Sequence, residues 1–157
     1  MNWTRFLSFS LLAFSICFIS CSKDDDNDGI NTLEGCFASY EVDGQSFTHE
    51  DMALCVYLDN TLNLGSSFSG GEFQLQIDPI TSTGTYTADI SNPDLNVIIL
   101  INLPDGTQIG SSNASITVTE LSNAGASGTF SGTFFDLMDI NQSPVYNVTN
   151  GEFSAEF

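Results

Sequence analysis

The chain holds a single histidine, His49, followed directly by Glu50 and Asp51. An imidazole beside carboxylates is the raw material of a general base or of a metal ligand. A nucleophilic triad would need His49 to act on a Ser or Cys delivered by the fold, and the many serines stand in no nucleophile-elbow pattern. One imidazole with neighbouring acids is weak support for a transition metal, so the expectation for this stretch is a solvated polar loop. Carboxylate pairs suited to glycoside hydrolysis need geometry, because twenty acidic residues guarantee accidental pairs. No catalytic constellation emerges. A non-enzymatic role is the leading expectation, with a weak or accessory hydrolase built on His49 and nearby carboxylates as the alternative.

The run Asp24-Asp25-Asp26-Asn27-Asp28-Gly29 starts like a calcium loop. Asp24, Asp26 and Asp28 offer oxygens at positions 1, 3 and 5, with Gly at 6. The pattern then needs a bidentate Glu at position 12. That place is Gly35, and Glu34 falls one residue short. Asp24, Asp26 and Asp28 are thus weak candidates for Ca²⁺, and no cofactor is expected. The same block has nothing apolar to bury, so residues 21–34 read as an acidic, solvated tether.

Four cysteines divide by context. Cys17 lies in an apolar run of thirteen residues, Phe6 to Phe18, that follows Arg5. A charged start, a short apolar core and small residues before a break make a secretory signal over residues 1–20. A membrane-spanning helix would need ~20 apolar residues. Ile19-Ser20-Cys21 resembles the bacterial lipobox, with Phe18 where a Leu is usual. That resemblance implies cleavage before Cys21 and acylation of its thiol. Each buried methylene adds ~0.8 kcal/mol, so several acyl chains anchor a protein durably. Ser22-Lys23-Asp24-Asp25-Asp26 is similar to the export signal of surface-exposed Bacteroidota lipoproteins. The implied location is the outer membrane, lipid-anchored through Cys21 and facing the cell exterior. Cys36 and Cys55 remain as an even pair in an oxidising compartment. Bridged, they would close a loop of about 20 residues, stabilising by ~3 kcal/mol on the chain-entropy view. Two free buried thiols are the other reading, and their spacing fits no zinc pattern.

The only basic residues besides His49 are Arg5 and Lys23, so residues 35–157 contain neither Lys nor Arg. Without cations to neutralise phosphates, nucleic acid is excluded as a partner. Anionic headgroups would repel the domain, which leaves membrane contact to the acyl anchor. A Lys Schiff base and an arginine clamp are likewise excluded.

Period-two alternation runs through residues 35–157, with no helical stripe. Cys36, Ala38, Tyr40 and Val42 share one face, and Asp43-Gly44 supplies a two-residue hairpin turn. Phe73, Leu75 and Ile77 alternate with polar neighbours until Pro79. Residues 96–102 form the one continuous apolar run, expected to be central or covered on both faces. Ser127-Gly128-Thr129-Phe130 and Ser131-Gly132-Thr133-Phe134 nearly repeat, putting Phe130 and Phe134 on one face. The expectation is a single all-β domain, an antiparallel β-sandwich or up-and-down β-barrel of about 8–10 short strands. A membrane-embedded barrel is disfavoured, because the strands look shorter than the ~9–11 residues that spanning needs.

Asp43-Gly44-Gln45-Ser46-Phe47, Gly84-Thr85-Tyr86, Ser131-Gly132-Thr133-Phe134 and Thr149-Asn150-Gly151-Glu152-Phe153 recur as turn-plus-strand signatures. With them, the chain resembles a family of small uncharacterised Bacteroidota surface lipoproteins. The resemblance implies an all-β surface lipoprotein and carries no catalytic residues. The expected role is therefore to bind or present an extracellular ligand or partner, a glycan or small molecule among the options. A purely structural envelope component is a further alternative. Trp3 lies in the leader, so Tyr40, Tyr57, Tyr86 and Tyr146 are the tyrosines left for stacking on a sugar, and Tyr40 reads as core.

Overall fold

Alternating side chains make strands that bury one face, and the described residues form ten of them. The computed structural model describes residues 35–66, 72–92 and 96–157. The leader, the tether, Cys21, the export residues Ser22–Asp26 and the calcium candidates Asp24, Asp26 and Asp28 all lie outside the described residues. The strands are β1 (Phe37–Val42), β2 (Gln45–His49), β3 (Leu54–Leu58), β4 (Thr61–Gly65), β5 (Phe73–Asp78), β6 (Gly84–Ala88), β7 (Asn96–Asn102), β8 (Gln108–Ser122), β9 (Gly125–Asp136) and β10 (Tyr146–Glu156).

Nine strands form one antiparallel path in the order β2-β1-β10-β9-β8-β7-β5-β4-β3, and β6 pairs with β8 beside it. Strand β8 is long enough to take two neighbours along one edge. Its start pairs with β7 through Leu100↔Gly110, and its middle pairs with β6 through Tyr86↔Ile116. The sheet curls over its buried face into a half-barrel whose end strands, β2 and β3, do not pair.

Aromatic rings fill the space that hydrogen bonds leave open. Tyr40 of β1 stacks on Phe73 of β5 at 5.4 Å and on Phe47 of β2 at 5.5 Å. Phe130 of β9 lies 5.7 Å from Phe73. Each fully buried Phe contributes ~1.5–3 kcal/mol, so these rings clamp one end of the sheet onto the other. Cys36, just before β1, and Cys55 of β3 sit at disulfide distance, with Cα atoms 6.2 Å apart. That pair joins the other end strand to the same seam.

The all-β expectation holds, as do the buried faces of β1 and β5. Three strands are longer than foreseen: β8 has 15 residues, β9 has 12 and β10 has 11. Bulges within them explain why short strands were expected instead. Pairing shifts register between Ser111 and Asn113 and again between Val118 and Glu120 on β8. On β10 it shifts between Val148 and Gly151, where Asn150 takes a positive φ of 52°. A bulge adds one residue and flips the pattern without ending the strand. Strand β7 is interior in the sheet, but only one of its faces is fully buried: Ile98 and Leu100 are half-buried.

The outward face of β6, β8 and β9 is coated with hydroxyls that satisfy one another. Thr85 meets Thr117 at 3.3 Å, Thr119 meets Ser127 at 3.3 Å, and Ser112 meets Thr133 at 3.2 Å.

Candidate functional site

His49 is where the structure departs most from the sequence reading. It is the last residue of β2, and its side chain is only 9% exposed. The solvated loop expected for His49-Glu50-Asp51 therefore fails at its first residue. The ring stacks on Phe73 at 5.7 Å and on Tyr40 at 5.6 Å. Nε2 lies 2.9 Å from the Tyr40 hydroxyl, and Nδ1 lies 3.7 Å from a Glu72 carboxylate oxygen.

Burial, with the Glu72 charge adding to it, holds the Tyr40 phenol well above its usual range. The Glu72 carboxylate beside Nδ1 favours the tautomer with the imidazole proton there, which leaves Nε2 to accept from the Tyr40 hydroxyl. Burial lowers the His49 pKa, while Glu72 acts in the opposite direction. The ring is neutral at pH 7. The acids named beside it in sequence, Glu50 and Asp51, are not its partners; Glu72, 23 positions on, is. Tyr40 is itself buried, so Tyr40 and His49 pack in the seam between β1, β2 and β5, while the exposed Glu72 carboxylate approaches from the solvent side. Among the described residues, no group of three His, Cys, Asp or Glu side chains could hold a metal ion.

One concave feature of the surface lies at the β1–β2 turn. A groove of about 310 Å³ is lined by Val42, Asp43, Gln45 and Phe47 of the β1–β2 hairpin, by Leu103, Pro104 and Asp105 after β7, and by Tyr146 of β10. The two-residue turn exists because Asp43 and Gly44 accept positive φ, 49° and 84°. Asp43 is pinned to β10: its N–H donates to the Asn147 carbonyl at 3.0 Å, and its carboxylate accepts from the Asn147 N–H at 3.0 Å. Opposite, the Asp105 carboxylate accepts from the Thr107 N–H at 2.9 Å, and that bond holds its pKa below the usual value. Tyr146 is the one tyrosine in this groove. Tyr57 stacks on Phe157, and the Tyr86 hydroxyl donates to the Ser82 carbonyl at 2.6 Å.

Next to the groove runs the β9–β10 connection, residues 137–145. It carries Met138 at 83% exposure, Ile140 at 95% and Val145 at 58%. The loop is tied by its own acids. Asp136 accepts from the Met138 N–H at 2.8 Å, and Asp139 accepts from the Asn141 N–H at 3.0 Å and the Ser143 N–H at 3.2 Å. These bonds hold the Asp139 carboxyl below its usual range. Leu137 donates its N–H to the Gln108 carbonyl at 2.9 Å, which fastens the loop to the start of β8.

Sequence reasoning missed both features. The groove is assembled from turns far apart in the chain. The loop had a local signature, aliphatic residues between Asp136, Asp139, Asn141 and Pro144, but no alternation to mark its face.

The groove lies at the Val42↔Val148 end of the β1–β10 ladder. The chain enters at the other end, where Phe37 pairs with Ser154 and Gly35 adjoins Glu156. At ~3.3 Å per residue, the two ends are about 20 Å apart. A broader depression of about 650 Å³ at the entering end, near Thr119 to Ser127, is lined mainly by small and hydroxyl side chains with Glu120 and Glu156, and holds no aromatic ring.

Comparison with protein-family models, with curated proteins and with solved structures finds no match. The fold and the groove define an antiparallel all-β half-barrel with a turn-lined cleft at one end.

Proposed function

We propose that this chain is a lipid-anchored, surface-exposed, non-enzymatic β-domain that binds an extracellular partner at the end bearing the groove and the β9–β10 loop. The acyl anchor at Cys21 and the export signal Ser22–Asp26 come from the sequence resemblance. The observation that carries the binding role is the exposure of Met138 and Ile140 on a loop held by five-residue hydrogen bonding around Asp136 and Asp139. A hydrogen-bonded loop that gathers Leu137, Met138, Ile140 and Val145 at the surface marks a contact surface more than a solvated connection. Gly35 and Phe37 lie at the opposite end of the β1–β10 ladder, so an anchor attached there leaves this end free for a partner.

A hydrolase based on His49 gains no support from the site, because its imidazole is engaged with Tyr40 and Glu72 away from the groove. The Ca²⁺ reading of Asp24, Asp26 and Asp28 adds nothing to this proposal.

Intact cells expressing the chain provide the test. Labelled fatty acid should appear on the wild-type protein and vanish in Cys21→Ala. Added protease should remove the domain without lysis. An unlabelled wild type, or a domain shielded from protease until cells are opened, would refute the placement.

A further inference from the structure

Strand β2 ends the sheet, and among the described residues no strand lies on one side of its backbone. In a hairpin with a two-residue turn, the residues flanking the turn exchange both hydrogen bonds, and bonded pairs then alternate. Val42↔Gln45, Tyr40↔Phe47 and Ala38↔His49 are the bonded pairs. Ser46 and Thr48 therefore aim N–H and C=O away from β1. Both are exposed, and no hydrogen bond among the described residues reaches their backbones.

The edge opens beside the groove, since Gln45 and Phe47 belong to both. Its charge is one-sided. Asp43 precedes it, Glu41 stands across from Ser46, and Glu50 and Asp51 follow it. Glu72 lies by His49 at its far end, and Asp105 faces it across the groove. Lys and Arg are absent from residues 35–157. A second copy would bring the same acids to the same edge, so like charges oppose self-pairing.

We propose that the open edge of β2 accepts an extended polypeptide segment as an added strand. The segment carries Lys or Arg toward both ends and an aliphatic or aromatic side chain that enters the groove of Phe47, Leu103 and Tyr146. Main-chain hydrogen bonds to Ser46 and Thr48 supply affinity, and the groove with its flanking acids supplies selectivity. A five-residue strand spans ~17 Å at ~3.3 Å per residue, which sets the cations about six residues apart. This inference rests on the reading of the chain as a binding domain.

The test uses the full chain in neutral detergent and the end-blocked peptide Lys-Val-Thr-Phe-Thr-Val-Lys, followed by fluorescence anisotropy. Two peptide controls replace both lysines by Glu, or methylate alternate backbone nitrogens. Saturable binding is expected, with at least tenfold loss for either control and for Thr48→Pro, and severalfold loss for Asp105→Asn. Proline at Thr48 removes an outward N–H without touching a bond to β1. The methylated peptide makes the same test with the protein unaltered, should Thr48→Pro misfold. No binding, equal binding of the methylated or acidic peptide, or edge pairing between two copies in sedimentation would each overturn strand addition. A protease-shielded domain that still binds the peptide would refute the surface placement and support strand addition. A surface-exposed, acylated domain that binds none would do the reverse.

Discussion

His49 is the chain's only imidazole, and residues 35–157 hold no lysine. His is the side chain whose ordinary pKa lies between pH 8 and pH 5.5, so the pH dependence of stability in that window tests His49. Burial lowers the folded-state pKa of His49 against the opposing pull of Glu72. The unfolded chain takes up its proton near the ordinary ~6.5. The unfolded state thus binds more protons as pH falls through that value. Stability is full above it, declines as pH falls toward the folded pKa, and levels off below. Each unit of depression is worth ~1.4 kcal/mol. The Tyr40 hydroxyl donates to Nε2 at 2.9 Å. Tyr40→Phe leaves that acceptor buried and unpaired while keeping the stacked ring, a loss of ~1–3 kcal/mol at pH 8. Urea denaturation of wild type, Tyr40→Phe, His49→Phe and the double variant at half-unit pH steps provides the assay. His49→Phe should flatten the profile, and the double-mutant cycle should show coupling of ~0.5 kcal/mol or more. A slope surviving in His49→Phe, or additive single variants, would refute the Tyr40–His49 pairing.

Three further outcomes follow from other contacts. Replacing Cys36 and Cys55 by Ser should lower stability by ~3 kcal/mol under oxidising conditions, and a reductant should bring the wild type to the same midpoint in urea while leaving the variant unmoved. Gly128→Ala should destabilise by ~1–3 kcal/mol, read as a loss of thermal midpoint, because a Cβ there runs into the Thr117 carbonyl oxygen and lies 2.8 Å from the Phe153 ring. Met138→Ser with Ile140→Ser should leave stability within ~0.5 kcal/mol by the same denaturation, since both side chains are spent on solvent; a larger loss would mean that they pack inward.

Strand content and the buried faces of β1 and β5 were legible because each rests on local alternation. So was the β1–β2 turn, whose Asp43-Gly44 chemistry is confined to two residues. The length of β8 and β10 was not legible, because bulges at Ser111–Asn113 and Val148–Gly151 reset the alternation inside continuous ladders. The partner of His49 was hidden for a different reason. Glu72 reaches it only when the sheet curls β5 under β2, a closure that depends on rings at Tyr40, Phe73 and Phe130 together. The groove escaped notice likewise, since Tyr146 meets Val42 only through the pairing of the chain's last strand with its first.

The glycine motifs acquire a physical meaning from that same ladder. Gly128 pairs with Phe153, and Gly151 pairs with Phe130. Each motif has the form Gly-x-Phe, and two residues in a strand share a face. Running antiparallel, the two motifs set each Phe ring over the other's missing side chain: a Cβ at Gly151 would lie 2.6 Å from the Phe130 ring, as one at Gly128 would lie 2.8 Å from the Phe153 ring. Such reciprocal pairing fixes register, because a slip of one residue would turn both rings to the outer face. It also places Phe130 where it can reach Phe73 across the interior. The most recognisable residues in this chain therefore specify how β9 and β10 lock. The connections those strands carry are free of that constraint, and of these the β9–β10 loop is the one that turns apolar side chains outward.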